Sequence, residues 1–510
     1  MTTRISALLF LIFVTQITFA QAPAIQWQKI YGGSNDDRAF DIHPTPDGGY
    51  IVAGDTKSTN WDVSGNNGSS AAYYPNYWIV KLNATGTLQW QKPFGGSSFD
   101  YAKSIKPTSD GGYIVAGDSF ISNSRGYDCW IVKLNSSGDI EWKKALGGNG
   151  EDRANAIQCT SDGGYIVAGY SDSTNGDITG NHGQYDAWVI KLNSDGSIQW
   201  QKSLGGSQYD YGNAIQLTTD GGYIIAGSTQ SNDGDVTGNH GTYTDDAWIV
   251  KLDSNGTIQW QKALGGNDSD YAKSIQCTQD GGYILAGYTY SYRGDYEGFN
   301  DTSDYWIVKI DSNGTLQWQR SIGGSYTDIA NAIEPTIDGG YIVVGRSTSL
   351  DGNITGNLGK NDAWLVKLSG SGAIQWQKSL GGSQNDYGNA VHQTADGGYI
   401  IAGYSESGIG DNTNIYGGYG YWIVKLASDN LNTNETSVKS IVTIENPVKG
   451  RLNIQSKETI TSLQLYTIDG KLIRNTSNKD MSVLDIPKGN YLLKIQLENG
   501  QTVSEKIIRE

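Results

Sequence analysis

The chain has 510 residues with 37 Lys+Arg against 53 Asp+Glu, a formal net charge of −16. An acidic body of this kind repels a phosphate backbone, which excludes nucleic acid as a partner. Glycine supplies 68 residues, proline only 9 and aromatics 11%, a composition of short strands and tight turns rather than of helices.

The first residues predict a secretory signal over 1–20. Arg4 gives the charged start, Ile5 to Val14 the apolar stretch and Thr18-Phe19-Ala20 the cleavage site. That stretch is too short to span a bilayer, and no other segment has about twenty apolar residues in a row, so no transmembrane segment is expected. The mature protein is expected outside the cell or on its outer-membrane surface.

Residues 24–428 are a repeat. Tryptophan opens a segment such as "WIVKL" at Trp78, Trp130, Trp188, Trp248, Trp306, Trp364 and Trp422. A second tryptophan lies in segments such as "IQWQK" at Trp27, Trp90, Trp142, Trp200, Trp260, Trp318 and Trp376. "DGGYIVAG" or a variant starts at Asp47, Asp110, Asp162, Asp220, Asp280, Asp338 and Asp396. Each repeat reads as two hairpins, because Asp-Gly and Asn-Gly-type turns between β-rich runs supply the positive φ that tight turns need. Seven units of four strands predict an all-β, seven-bladed propeller. The chain starts with a lone fourth strand at Ala24–Tyr31 and ends its array at Gly420–Ser428 without one. Lending the first strand to the last blade would close the ring and remove both sheet edges. The repeat tryptophans are expected to pack blade on blade.

The turns between strands one and two and between three and four are minimal. The other connections are long, with 12 to 23 residues between the second strand and the next tryptophan. One face therefore carries the long loops, and binding is expected there. The exposed aromatics Trp61, Tyr73 and Tyr74, together with His182, Tyr185, His240 and Tyr243 in the loops of the third and fourth blades, are the candidate binding residues. Asp37, Asp100, Asp152, Asp210, Asp270, Asp328 and Asp386 recur in every blade, which points to accepting backbone N–H groups and holding loop shape. Calcium at Asp233 and Asp235 is the competing reading for such loops; no other cofactor is expected. Four histidines, His43, His182, His240 and His392, complete no catalytic or metal motif. The three cysteines, Cys129, Cys159 and Cys277, fit no disulfide framework and read as buried thiols.

Charge breaks near residue 436. Residues 437–510 carry 11 Lys+Arg and 8 Asp+Glu, a net of +3, against −19 for the rest. The polar segment 429–438 reads as a linker, and 439–510 as a small Ig-like β-sandwich.

Three resemblances follow from these motifs. "LDSNGTIQWQKALGG" (Leu252 to Gly266) is similar to the repeat of quinoprotein dehydrogenase propellers, with Asp, Gly and Trp in a docking motif. That family's quinone-binding residues have no counterpart here, so the likeness implies a shared fold and not redox activity. The whole array resembles exported Bacteroidetes propellers built from "DGGYIVAG" and "WIVKL". The tail, with the Asn446-Pro447 turn, the Asp469-Gly470 turn, the "GNYLLKI" strand through Gly489 and Tyr491, and the basic end at Lys506, resembles the C-terminal sorting domain of the type IX (Por) secretion system. Membership implies passage through the type IX machinery, removal of the tail by its sorting protease, and release or attachment to surface lipopolysaccharide. The expected function is a secreted or cell-surface binding or adhesion module for a glycan or protein. The alternatives are a polysaccharide-acting hydrolase or lyase using loop-face carboxylates, and a purely structural surface protein.

Overall fold

A computed structural model describes residues 21–66, 73–122, 126–241, 243–291, 302–407, 418–429, 442–444, 448–456, 458–467, 471–478, 480–498 and 502–509. The signal segment 1–20 and almost all of the 429–438 linker lie outside them. All regular structure among these residues is β-strand, and no helix among them is long and apolar enough to cross a membrane. The chain divides into two compact units, Met1–Asp429 and Asn430–Glu510.

Among the described residues of the first unit a four-stranded antiparallel sheet repeats seven times. Its first strands are Asp37–Pro44, Asp100–Pro107, Asp152–Cys159, Asp210–Leu217, Asp270–Cys277, Asp328–Pro335 and Asp386–Gln393. The second and third strands are apolar on both faces and almost entirely buried, as in Tyr223–Thr229 and Asp246–Leu252, because each is covered by the sheets before and after it. The fourth strands alternate and face outward in part, as in Ile258–Leu264. First strands contact one another in sequence, and Asp386–Gln393 contacts Asp37–Pro44 in turn. The strand Ile25–Tyr31 completes the sheet of Asp386–Gln393, Tyr399–Ser405 and Gly420–Leu426, pairing Ile30 with Trp422.

Each first strand carries a one-residue bulge after its third residue. The extra residue is turned out of the ladder, and where it is asparagine it bonds the neighbouring sheet. Asn155 donates to Gly212 O at 3.0 Å, Asn213 to Ala272 O at 2.9 Å, Asn331 to Gly388 O at 2.9 Å and Asn389 to Ala39 O at 2.7 Å.

The two tryptophan sets do different work. Those of the third strands are buried, and Trp188, Trp248 and Trp364 each donate Nε1–H to a fourth-strand glutamine at 2.9 Å. Those of the fourth strands dock on the next sheet. Trp200 meets Tyr223 edge-on at 5.9 Å and lies over Gly256, whose φ is +77°. A Cβ at Gly256 would sit 2.8 Å from the Trp200 ring, so Gly256→Val both clashes and forces a β-branched residue into left-handed backbone. It is expected to cost about 2–3 kcal/mol, read as a lower urea midpoint at unchanged slope. Trp376 has no such glycine ahead of it and instead donates Nε1–H to Asp429 at 2.9 Å. Asp429 therefore belongs to the first unit by its contacts, rather than to the linker where the sequence reading began it.

At the short-turn end every third strand supplies a buried lysine to the Asp of "DGG". Lys81, Lys133, Lys191, Lys251, Lys309, Lys367 and Lys425 lie 2.8–3.0 Å from Asp47, Asp110, Asp162, Asp220, Asp280, Asp338 and Asp396. The same carboxylates accept a threonine hydroxyl and a glycine N–H within the turn, as Asp338 does from Thr336 and Gly340. Clefts of about 230, 350 and 510 Å³ open between neighbouring sheets at this end, each lined by one Asp–Lys pair.

In the second unit, three strands (Val442–Ile444, Arg451–Ser456, Asp480–Ser482) and four strands (Leu472–Thr476, Ile460–Thr467, Gly489–Leu497, Thr502–Arg509) form two sheets. They share one apolar cluster that includes Leu452, Leu463, Leu465, Met481, Tyr491, Leu493 and Ile495.

Candidate functional site

The recurring Asp at the head of each first strand shapes the long-loop end. Asp210 accepts Gly206 N–H at 2.8 Å, Ser231 Oγ–H at 2.8 Å and the Thr229 hydroxyl; Asp37 and Asp152 repeat the set. These bonds tie the connection between sheets to the loop after the second strand, as the repeat of this residue implied. Burial nevertheless raises the carboxyl of Asp37 to about 7, and those of Asp210, Asp270 and Asp328 to about 6, against the hydrogen bonds that oppose it.

The residue after this Asp varies: Arg38, Tyr101, Arg153, Tyr211, Tyr271, Ile329 and Tyr387. Antiparallel register sets each opposite one second-strand residue, giving Arg38–Asp55, Tyr101–Asp118, Arg153–Tyr170, Tyr271–Tyr288 and Tyr387–Tyr404 among the pairs. Aromatic faces thus gather around the first strands at the long-loop end. Tyr170 meets Tyr211 at 4.9 Å and Tyr185 at 5.1 Å, while Tyr209 stacks parallel to Tyr211 at 6.4 Å. Tyr271 stacks on Tyr288 at 4.7 Å, Tyr387 on Tyr404 at 4.5 Å, and Tyr404 meets Tyr419 at 4.9 Å and Phe40 at 6.4 Å. Cations cover several rings: Lys103 over Phe40 at 4.4 Å and Arg153 over Tyr127 at 3.8 Å. Arg38 and Arg153 are paired with the buried Asp55 and Asp118 at 3.0 and 3.4 Å.

These rings are half-buried, so each shows one face or edge while its body is packed. Burial pushes the phenols of Tyr101 and Tyr170 up to about 12, so they stay protonated hydrogen-bond donors. Planar faces with hydroxyls and charged guanidinium groups at their rims can stack on a sugar ring or an apolar side chain and hydrogen-bond its periphery.

Of the sequence-predicted residues, Tyr185 lies within this aromatic belt, its hydroxyl 3.3 Å from Glu151. Tyr74 joins its border through Phe99 at 4.7 Å, and Phe99 stacks on Tyr101 at 6.3 Å. Trp61, Tyr73 and Tyr243 are exposed by 56, 75 and 76%. Trp61 and Tyr243, at φ +56° and +68°, are also the non-glycine residues with left-handed backbone among those described, a strain that concentrates at functional loops. His182 and His240 turn to their own sheets: Nδ1 of each lies 2.7 Å from Asp186 and Asp246, whose same oxygens accept the histidine backbone N–H at 3.0 Å. Asp233 accepts Ser207 N–H at 2.8 Å and Asp235 accepts Gly205 N–H at 3.3 Å, so both spend an oxygen on backbone. In the second unit Gly489 opens a strand, Tyr491 is buried in the cluster, and Lys506 stands opposite Leu492. Asn446, Pro447, Asp469 and Gly470 lie outside the described residues. Sequence reasoning missed Arg38, Tyr101, Arg153, Tyr211, Tyr271 and Tyr387; the available signal was one variable position beside an invariant one.

A family model described as outer membrane protein assembly factor BamB matches residues 186–471, more than half of the chain. The chain belongs to the BamB family. For this BamB-family chain the match carries the propeller-like repeat fold, and the role in that description remains its namesake's. A second model, the secretion system C-terminal sorting domain, matches residues 446–510. The two overlap over 446–471, which lie in the second unit with sheets of its own, so the sorting-domain match describes them. That domain points to export and to a secreted or cell-surface protein.

Among curated proteins, the chain is 26% identical over 201 residues to the regulatory protein FlaEY of Caulobacter vibrioides, covering 36% of this chain and 21% of that one. It is 20% identical over 473 residues to the uncharacterized WD repeat-containing protein L264 of Acanthamoeba polyphaga mimivirus, covering 69% and 34%. The chain thus spans only about a fifth and about a third of these relatives' lengths. Solved structures with similarity include the Pan2 WD40 domain of Neurospora crassa, at 11% identity, 76% and 88% coverage and a TM-score of 0.42. YCF48 bound to D1 peptide follows at 9% identity, 80% and 97% coverage and a TM-score of 0.41.

Proposed function

We propose that the chain is an exported binding module: a closed seven-bladed propeller that takes a glycan on its long-loop face, followed by an Ig-like type IX sorting domain. The observation that carries this reading is the aromatic belt built on Tyr170, Tyr185, Tyr209 and Tyr211. Half-buried rings held edge-to-face present fixed apolar planes at low entropic cost, which suits the flat CH face of a pyranose. The strained, exposed Trp61 and Tyr243 extend the same face. Tail removal by the sorting protease, followed by release or by attachment to surface lipopolysaccharide, is part of the same proposal. Calcium at Asp233 and Asp235 is an added element of the loop face, tested in the same experiment.

That experiment is a glycan-array screen of the full-length chain, run with calcium and with chelator. Saturable binding to a glycan class is expected, with Tyr211→Ala lowering affinity about tenfold or more, some 1.4 kcal/mol. Loss in chelator would support the calcium element. Binding that survives Tyr211→Ala but fails in Trp61→Ala would move the site to the loop tips. No binding to any glycan would overturn the carbohydrate assignment and favour a protein ligand.

A further inference from the structure

The sevenfold pattern fails at one place that the long-loop face does not use. The sixth residue after each recurring Asp lies near the short-turn end of the first strand. It is Gln in three successive sheets, Gln158, Gln216 and Gln276, but His43, Lys106, Glu334 and His392 in the other four. The glutamines do what a neutral ring can do: Gln158 donates to Gln216 Oε1 at 3.0 Å, sheet to sheet. The other four sheets bring together two imidazoles, a carboxylate and an ammonium. Two positions earlier, Asp41 replaces the Ser or Ala found at Ser104, Ala156, Ala214, Ser274, Ala332 and Ala390.

The geometry is that of a cation site. Asp41, His43 and His392 each offer one ligand atom, and these lie within 4.8 Å of one another. His43 Nε2 is 3.3 Å from Asp41 Oδ1, and the two imidazole centroids are 4.2 Å apart. Glu334 Oε2 lies 3.0 Å from His392 Nδ1, which leaves Nε2 of that ring as its ligand atom. A carboxylate behind the far nitrogen of a histidine is the arrangement that orients imidazole metal ligands. Lys106 Nζ sits 3.1 Å from Asp41 Oδ2 and bonds His43 Nε2, so a positive charge already occupies the point where these groups converge.

We propose that Asp41, His43 and His392 form a site for a divalent transition metal, with zinc the best match, oriented by Glu334 and guarded by Lys106. Two nitrogens and one oxygen suit a tetrahedral ion with a water as fourth ligand. The ligands come from the first and seventh sheets, whose first strands are in contact, so a bound ion cross-links the segments Asp37–Pro44 and Asp386–Gln393. Lys106 must withdraw when the ion enters, which makes its side chain a competitor for the site.

The test titrates the full-length protein with Co²⁺ and follows its visible d–d absorption. One equivalent with the strong absorption of a tetrahedral ion is expected, displaced by Zn²⁺. His43→Gln and His392→Gln introduce the residue that three other sheets carry there (Gln158, Gln216 and Gln276), so they preserve the fold, and each should abolish the signal. Glu334→Gln should weaken binding about tenfold, and Lys106→Met should tighten it. Absence of a one-equivalent site in both the native and Lys106→Met chains would overturn the proposal. So would a signal that persists in the His43→Gln, His392→Gln double variant, since the metal would then sit on His182 or His240.

Discussion

Asp338→Ala is expected to destabilise the first unit by about 2–3 kcal/mol, and Lys367→Met in the same chain is expected to restore most of that loss. Lys367 is 0% exposed, and its ammonium reaches Asp338 at 2.8 and 3.0 Å, Leu368 O at 3.2 Å and Gln375 Oε1 at 3.0 Å. Removing the carboxylate leaves a buried charge with neutral acceptors only, and breaking a buried pair from one side typically costs about 3–5 kcal/mol. Asp338 is 43% exposed on its side chain, so water entering the vacated space compensates part of the cost. Methionine keeps the stem of Lys367 and removes the charge, which is why the double variant should recover. Urea unfolding of the two single variants and the double variant measures this. A double variant less stable than Asp338→Ala would mean that the ammonium itself, through Leu368 O and Gln375, holds the turn.

Stability of the first unit should peak near about pH 4 and fall on both sides. Asp37, raised by burial to about 7, and Asp210, Asp270 and Asp328, raised by burial to about 6, bind protons more tightly folded than unfolded. The native chain then holds more protons than the unfolded chain between the ordinary carboxylate value of about 4 and these raised values, so stability declines as pH rises through that window. Each of the carboxyls raised to about 6 accounts for roughly 2–3 kcal/mol in isolation, and the total is smaller where neighbouring carboxyls share protons. The turn carboxylates act in the opposite sense. Burial alone would raise Asp47, Asp110, Asp162, Asp220 and Asp280, but the lysine, threonine and glycine bonds outweigh it and hold them at about 2. Their contribution is present above about pH 4 and is lost as pH falls toward 2. Denaturation midpoints across pH 3 to 8 decide the matter, and a midpoint that climbs steadily to pH 8 would contradict it.

The sheets and the strand exchange were legible because they rest on short-range signals repeated many times. The Asp-Gly turns, the tryptophan spacing and the spare strand at Ala24–Tyr31 each name a partner in the same frame, and Ile25–Tyr31 does pair with Gly420–Leu426. The aromatic belt was not legible in that way. Tyr170, Tyr185 and the pair Tyr209 and Tyr211 sit in three different segments and meet only through antiparallel register and sheet-on-sheet packing. Reading for loop length favoured Trp61, Tyr73 and Tyr243 at loop tips, whereas the rings that gather are at strand heads. His43 and His392 are separated by almost the whole array, and neither has a motif of its own. The lysine of "WIVKL" was visible seven times, but its partner in "DGG" becomes evident only when both turns are brought to one end.

The exchange of Ile25–Tyr31 into the last sheet also sets the order of events for a growing chain. That strand is made before every other strand of the array, yet its partner Gly420–Leu426 is made almost four hundred residues later. Until then its edge is unpaired, and joining the two ends carries a loop-closure entropy of roughly 5 kcal/mol by simple polymer scaling. Intermediate sheets can form as they emerge, but the latch between the termini engages last. The ring therefore cannot close on its first strand until synthesis has passed residue 426.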